Sequence, residues 1–447
     1  MRIHFIAIGG VIMHSLAIEL KQQGHIVTGS DDEIYEPSRT NLLRFDLLPN
    51  AFGWDPQNIN SEIDLVILGM HAKKNNPELI EAQNYRLPIL SFPEYIANYS
   101  NHDKRIVIAG SHGKTTITSM IIHVLNDNNI EVDYLLGAKI RSCDNLVSLK
   151  NNNIIIIEGD EYFSSAIDTR PKFMHYHPDV LVVSGVAWDH INVFPSLKSY
   201  EKAFKDILNQ VIDRSGQVFY CGDDKFLSNY LVPAKKIKPY FLPKYNINNH
   251  VYTINHNESS IKLSVFGQHN LYNLQAAKHV CLDLGLSSNE FYNSIQKFQG
   301  AEKRLSLIRQ GESSSVYFDF AHSPSKVSAT ISAVKELYPQ RHLISCLELH
   351  TFSSLNKNFI PQYINAFQDA DEVWIYIDET SHKSQQKVSR EFILDSIIHS
   401  SLDVITIPSN LENKLRKIEL NELNLLIMSS GNFSGLDIEG IFNVSNL

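Results

Sequence analysis

Between Arg105 and Met120 the chain reads RIVIAGSHGKTTITSM: an apolar run, a loop bounded by Gly110 and Gly113, then a helix-forming segment that opens with Lys114, Thr115 and Thr116. Those residue types suit a polyphosphate. Glycines let the backbone fold around phosphate oxygens, and amide groups at a helix start point at them. A lysine ammonium reaches the outer phosphates, and the first threonine hydroxyl can bind magnesium. Gly110, Ser111, His112, Gly113, Lys114, Thr115 and Thr116 are therefore candidate phosphate-binding residues, with Ile108 standing where the longer-spaced form of this loop has its first glycine. A glycine turn capping an ordinary helix is the plainer alternative; the order strand, loop, helix favours the phosphate loop.

Two further side chains sit where such a site needs them. Glu158 closes the apolar run NIIIIE. A carboxylate at the end of a buried strand is costly without a partner, and a hard cation such as magnesium supplies one. His190, in AWDHINVF, is expected to close a second apolar run that begins at Val180. Imidazole is not the preferred ligand of a hard ion, so a hydrogen-bonded structural histidine stands beside the metal reading. His175 and His177, in MHYHPD, are expected to be structural or exposed. The chain also opens on a second glycine loop, FIAIGGVIM, with an acid about 20 residues later, as in a dinucleotide fold. Gly9 and Gly10 are adjacent and Met13 follows, so G-x-G-x-x-G is absent and a nicotinamide cofactor is disfavoured.

Residues of this kind are usually delivered by the carboxyl ends of parallel strands, and the patterning agrees. The first hundred residues alternate strand-like and helix-like pieces: IHFIAI, a helix from about Met13 to Gln23, VTGS, and DLVILG at Asp64 to Gly69. The polar stretch Asn98 to Arg105 reads as a linker. After Gly300 a third alternation follows, SVYFDF, a helix near Lys326 to Leu337, HLISCLEL, EVWIYI, DVITIP and NLLIMSSG. The fold class is α/β, and 447 residues exceed what one core supports. A formal net charge of −9 lacks the basic footprint of a nucleic-acid binder. Four cysteines without a C-x-x-C pair argue against a zinc site or a disulfide framework and fit a reducing cytoplasm. The N-terminal apolar stretch is interrupted by His4, the glycine pair, His14 and Glu19, unlike a signal peptide, and no run approaches the roughly 18 apolar residues of a membrane span.

Taken in order, GSHGKTT, EGDE at Glu158 to Glu161, DH at Asp189 and His190, GQHNLYNLQAA at Gly267 to Ala277, FQGAEKR at Phe298 to Arg304 and DFAHSP at Asp319 to Pro324 resemble the Mur ligases. These are ATP-dependent enzymes that form amide bonds on UDP-N-acetylmuramoyl precursors of peptidoglycan, and the resemblance runs along essentially the whole chain. It implies three domains: a Rossmann-like UDP-sugar domain over 1–102, a central P-loop ATPase domain with a mostly parallel sheet over 103–299, and a Rossmann-like ligase domain over 300–447. ATP and Mg²⁺ are the implied cofactors. The loop Gly110 to Thr116 would hold ATP, Thr115 and Glu158 a magnesium ion, and His190 a second one. Asn270 and Asn273 would lie near the adenine, with Arg304 and Asp319 as nucleotide contacts of the third domain. Lys114, Glu158, His190 and Arg304 form the implied catalytic set. Some members bridge the metals with a carbamylated lysine; the matching place falls at Phe204 or Lys205, and none is assigned.

The start IGGVIM, followed by VTGSDD at Val27 to Asp32, resembles the branch that binds UDP-muramate, which puts Gly9, Gly10, Ser30 and Asp31 at the UDP-sugar. Within that branch EGDEYFSSAIDTRPKFMHYHPDVLVV, CLELHTFSSLN and MSSGNFSG resemble the members that attach a whole murein tripeptide, L-alanyl-γ-D-glutamyl-meso-diaminopimelate, to UDP-N-acetylmuramate in peptidoglycan recycling. Two residues depart from that pattern: Phe163 stands where an acid commonly follows EGDEY, and Ser323 replaces the second histidine of HHP. L-alanine as the amine donor, or an inactive homologue that only binds UDP-muramate, are the alternatives. The expected partners are thus UDP-N-acetylmuramate and the tripeptide, with neither nucleic acid nor membrane.

Overall fold

The computed structural model describes residues 1–99, 102–140, 143, 145–188, 193–257, 259–301, 304–378 and 388–443. Among the described residues the strands are sorted into four sheets. β1 (Arg2–Ile6), β2 (Ile26–Ser30), β3 (Leu65–Leu68) and β4 (Ile89–Ser91) form an all-parallel sheet of order β2-β1-β3-β4. The next seven strands are β5 (Lys104–Ala109), β6 (Asp133–Leu135), β7 (Val147–Ser148), β8 (Ile154–Glu158), β9 (Val180–Val183), β10 (Gln217–Cys221) and β11 (Ile237–Tyr240), in the order β11-β10-β9-β5-β8-β6-β7. Among the described residues only the β6–β7 pair of that sheet is antiparallel. β12 (Asn246–Asn248), β13 (Val251–His256) and β14 (Ser259–Leu263) make a small antiparallel sheet. The last sheet holds β15 (Ser306–Gln310), β16 (Ser315–Asp319), β17 (His342–Glu348), β18 (Glu372–Tyr376), β19 (Leu402–Ile405) and β20 (Leu423–Met428). Its order is β15-β16-β20-β17-β18-β19, parallel except at β15.

Composition explains the central sheet. Ile106 to Ala109, Ile155 to Ile157 and Val180 to Val183 are buried on both faces, so these strands read as continuous apolar runs without alternation. Chain order puts a switch point at β5: the chain leaves it toward β6, returns as β8 on one side and continues as β9 on the other. In open α/β sheets such a point opens a crevice beyond the carboxyl ends of the strands. The loop after β5 and the ends of β8 and β9 therefore converge. In the first sheet, the switch point lies likewise at β1, between β2 and β3.

Several expectations shift. The first helix is Val11–Gln22 and the later one Pro324–Leu337, each starting two residues earlier than expected. β9 ends at Val183 and does not run to His190; His190 and Asp189 lie outside the described residues. Its early end has a cause. Gly185 takes a positive φ of 147°, the Val186 amide is captured by Asp224 Oδ2 at 2.8 Å, and the chain turns out of the sheet. The chain forms two compact units, one of residues 1–186, 198–240 and 279–284, the other of 187–197, 241–278 and 285–447. Among the described residues no helix is long and apolar enough to cross a membrane.

Candidate active site

The phosphate loop is built by glycines at positive φ. Gly110 sits at φ 123°, and a Cβ there would fall 2.8 Å from the Ser184 amide nitrogen, so both backbone angle and space exclude a side chain. Gly113 (φ 73°) turns the chain into the helix Lys114–Asp127, whose N-terminus carries no side-chain cap. A helix start of this kind favours an anion. Ser111 N donates to the Gly185 carbonyl oxygen at 2.9 Å, which pins the loop onto the turn after β9.

Lys114, Thr115 and Glu158 come together at the carboxyl ends of β5 and β8. Thr115 Oγ1 donates to Glu158 Oε1 at 2.9 Å, and the Gly137 amide donates to Glu158 Oε2 at 2.8 Å. Lys114 Nζ donates to the Gly110 carbonyl oxygen at 2.7 Å and to Glu161 Oε2 at 2.8 Å. Burial alone would lower the lysine pKa; the carboxylates of Glu161, Asp160 and Glu158 outweigh it, so the ammonium titrates above its usual value. The lysine is thus a fixed cation in a partly desolvated crevice, where charge acts strongly. A threonine hydroxyl facing a carboxylate is a hard-oxygen donor set that fits magnesium.

Glu161 and Tyr200 take part in this site although their roles were not expected. Glu161 is fully buried. Its Oε1 accepts the Tyr200 hydroxyl at 3.1 Å, and that hydroxyl lies 2.9 Å from Ser111 Oγ. Tyr200 comes from the helix Leu197–Asp213, on the face that also buries Phe204, Ile207 and Leu208. Lys205, on the same helix, lies with its ammonium over the rings of Phe226 and Tyr230, 5.5 and 5.3 Å from their centroids.

The first glycine loop is closed by an acid. Gly9 N donates to Asp31 Oδ2 at 2.7 Å, and the amides of Ala7 and Ile8 both donate to the Ser30 carbonyl oxygen at 3.0 Å. Burial and the adjacent Asp32 push the Asp31 carboxyl up to about 6, against the Gly9 amide that favours its ionised form. Ser30 turns its hydroxyl inward to Glu78, a buried carboxylate that also accepts from His4, Asn58 Nδ2 and the Asp55 amide. An anion at this loop would therefore meet Gly10 and the uncapped start of the helix Val11–Gln22 rather than the amide of Gly9.

In the second unit the structure groups the remaining candidates in two pairs. Asn270 and Asn273 are buried one turn apart near the start of the helix Gln268–Asp283, with Asn273 Nδ2 donating to Asn270 Oδ1 at 3.4 Å. Asp319, at the end of β16, accepts the amides of Leu305 and Ala321, both at 2.6 Å. Burial raises its pKa and the Arg304 charge works against that rise. The Arg304 guanidinium stacks 4.8 Å from the centre of the Phe320 ring.

A second group, Glu94, Asp168 and His175, offers ligand atoms within 4.8 Å of one another. There Arg170 holds Asp168 through Nε at 3.1 Å and Nη2 at 2.6 Å, and its Nη2 lies 3.9 Å from Glu94, so a guanidinium already supplies the positive charge.

The chain matches the family description Mur ligase middle domain over residues 108–281 and Mur ligase family, catalytic domain over residues 2–104. It is 30% identical over 348 residues to UDP-N-acetylmuramate--L-alanyl-gamma-D-glutamyl-meso-2,6-diaminoheptandioate ligase of Haemophilus influenzae, an alignment covering 75% of this chain and 76% of that protein. It is 28% identical over 421 residues to UDP-N-acetylmuramate--L-alanine ligase of Clostridium kluyveri, covering 89% and 88%. In three dimensions it resembles UDP-N-acetylmuramate-alanine ligase MurC from Thermotoga maritima with a TM-score of 0.73 at 22% identity, covering 99% of this chain and 98% of that one.

Proposed function

The chain belongs to the Mur ligase family and is an ATP-dependent ligase, and from that premise we propose that it joins UDP-N-acetylmuramate to the tripeptide L-alanyl-γ-D-glutamyl-meso-diaminopimelate. The observation that carries the phosphoryl-transfer chemistry is the meeting of Lys114, Thr115 and Glu158 at one crevice. A lactyl carboxylate is a poor electrophile. Its oxygen attacks the terminal phosphorus of ATP, ADP leaves, and the resulting acyl phosphate has a good leaving group. The alanyl amine of the peptide then attacks the carbonyl carbon, the C–O bond to phosphate breaks, and the amine loses a proton to solvent.

The protein's part is positioning and charge neutralisation. Lys114 and the amides at the start of its helix face the phosphates. Thr115 and Glu158 would hold magnesium, which when bound offsets charge on the phosphate oxygens; His190 is proposed for a second ion. Gly9, Gly10, Ser30 and Asp31 are assigned to the UDP-sugar, and Asn270, Asn273, Arg304 and Asp319 to the nucleotide, on their motif likeness. The same reading divides the chain into 1–102, 103–299 and 300–447 and places it in the cytoplasm.

The tripeptide is favoured by the motif likeness of the segment Glu158 to Val183 and by the name of the Haemophilus relative. The second reading, L-alanine as donor, is favoured by the name of the Clostridium relative. Phosphate release from MgATP and UDP-N-acetylmuramate, compared with each amine, decides: turnover with the tripeptide alone is expected, and turnover with L-alanine alone would overturn the choice.

A further inference from the structure

A lysine ammonium has three N–H donors. On Lys114, two are spent inside the site, one on the Gly110 carbonyl oxygen and one on Glu161 Oε2. The other oxygen of Glu161 takes the Tyr200 hydroxyl, which reaches Ser111 Oγ. One buried carboxylate therefore anchors both the lysine and the serine of the loop. We infer that Glu161 is the positioning residue of the phosphate lysine, and that with Tyr200 it locks the ammonium and the Ser111 turn together, leaving the third N–H for the transferring phosphoryl group.

The physical case rests on flexibility and charge. Lysine is a point charge on a four-carbon stem with many rotamers, so its aim must come from its neighbours. A charge-assisted hydrogen bond in a partly desolvated site is the strongest available restraint, and a shared network stiffens its members together. Tyr200 is itself held, its ring meeting Phe204 edge-on at 5.1 Å, and Phe204 meets Phe173 at 5.5 Å. The anchor thus runs from the loop into the core of the central sheet.

The inference rests on reading this loop as the ATP site, and the test separates the two. Steady-state kinetics with MgATP, UDP-N-acetylmuramate and the productive amine would be run on the parent, Lys114→Ala, Glu161→Gln, Tyr200→Phe and the double variant, with active sites titrated by a fluorescent ATP analogue. Glu161→Gln is expected to lower kcat about tenfold to hundredfold while KM for the UDP-sugar stays within about twofold. Tyr200→Phe is expected to cost about threefold to tenfold, and the double variant less than the product of the two. A merely structural role would lower the melting temperature and the number of active sites, with kcat per titrated site unchanged. Parent-like kcat and KM for ATP in both single variants overturn the inference. Should Glu161→Gln fail to fold, Tyr200→Phe decides alone, since it removes one oxygen, and an unchanged kcat overturns it. If instead Lys114→Ala keeps parental activity, it is the ATP-site reading that fails.

Discussion

Glu158 and Asp31 show two ways of keeping a carboxylate at the carboxyl end of a parallel strand. Glu158 is received by the Thr115 hydroxyl and the Gly137 amide, whereas Asp31 has the Gly9 amide but also an acidic neighbour in Asp32. Its carboxyl rises from an ordinary 3.8 to about 6, so between those values the folded chain holds a proton that the unfolded chain has released. Stability contributed by this group falls as pH rises through that window. Asp31→Asn removes the dependence, and its melting temperature is expected to gain on the parent from about pH 4 to about pH 7; a constant gap across that range would refute the account. Residue types announced Lys114, Thr115 and Glu158, because a helix start after glycine and the end of an apolar run each leave a polar group one job. Glu161 stands in the same EGDE run, yet nothing in its spacing says that it faces back to the loop. Tyr200 had no signal at all, since its spacing with Ala203, Phe204 and Ile207 reads as an ordinary buried helix face.

The apolar runs behind β5, β8, β16, β17, β18 and β20 were legible because strands covered on both faces cannot alternate. β12 to β14 were not, their segment being polar and asparagine-rich. Nor was the end of β9, where the Val186 amide donates to Asp224 and the Gly185 carbonyl accepts from the Ser111 amide, residues far away in the chain. The turn after β6 is similarly hidden and has a mechanical role. A Cβ at Gly137 would lie 2.6 Å from Glu158 Cδ, a distance real side chains do not tolerate. Gly137→Ala should therefore displace the Glu158 carboxylate from Thr115 while leaving the sheet paired. The expected outcome is a loss of kcat of about tenfold or more with far-ultraviolet circular dichroism unchanged; parental kcat would mean that the strand end relaxes without cost.

The central sheet is finished by residues that come late. Val280 and Cys281 are fully buried, the His279 ring lies 5.3 Å from that of Phe219, and Asp283 pairs with Lys104 at 2.7 Å across 179 residues of sequence. Residues 279–284 accordingly belong to the first compact unit although the chain between 241 and 278 does not. A fragment ending at 278 should expose the apolar surface those residues cover and bind a hydrophobic dye, while one ending at 284 should melt cooperatively; identical melting of the two would contradict this closure. Synthesis proceeds from the N-terminus at about 5–20 residues per second, so Lys104 waits roughly 10–40 s for its partner to leave the ribosome. For that interval the nascent enzyme carries an uncovered apolar strip, and its yield depends on how long that strip escapes aggregation.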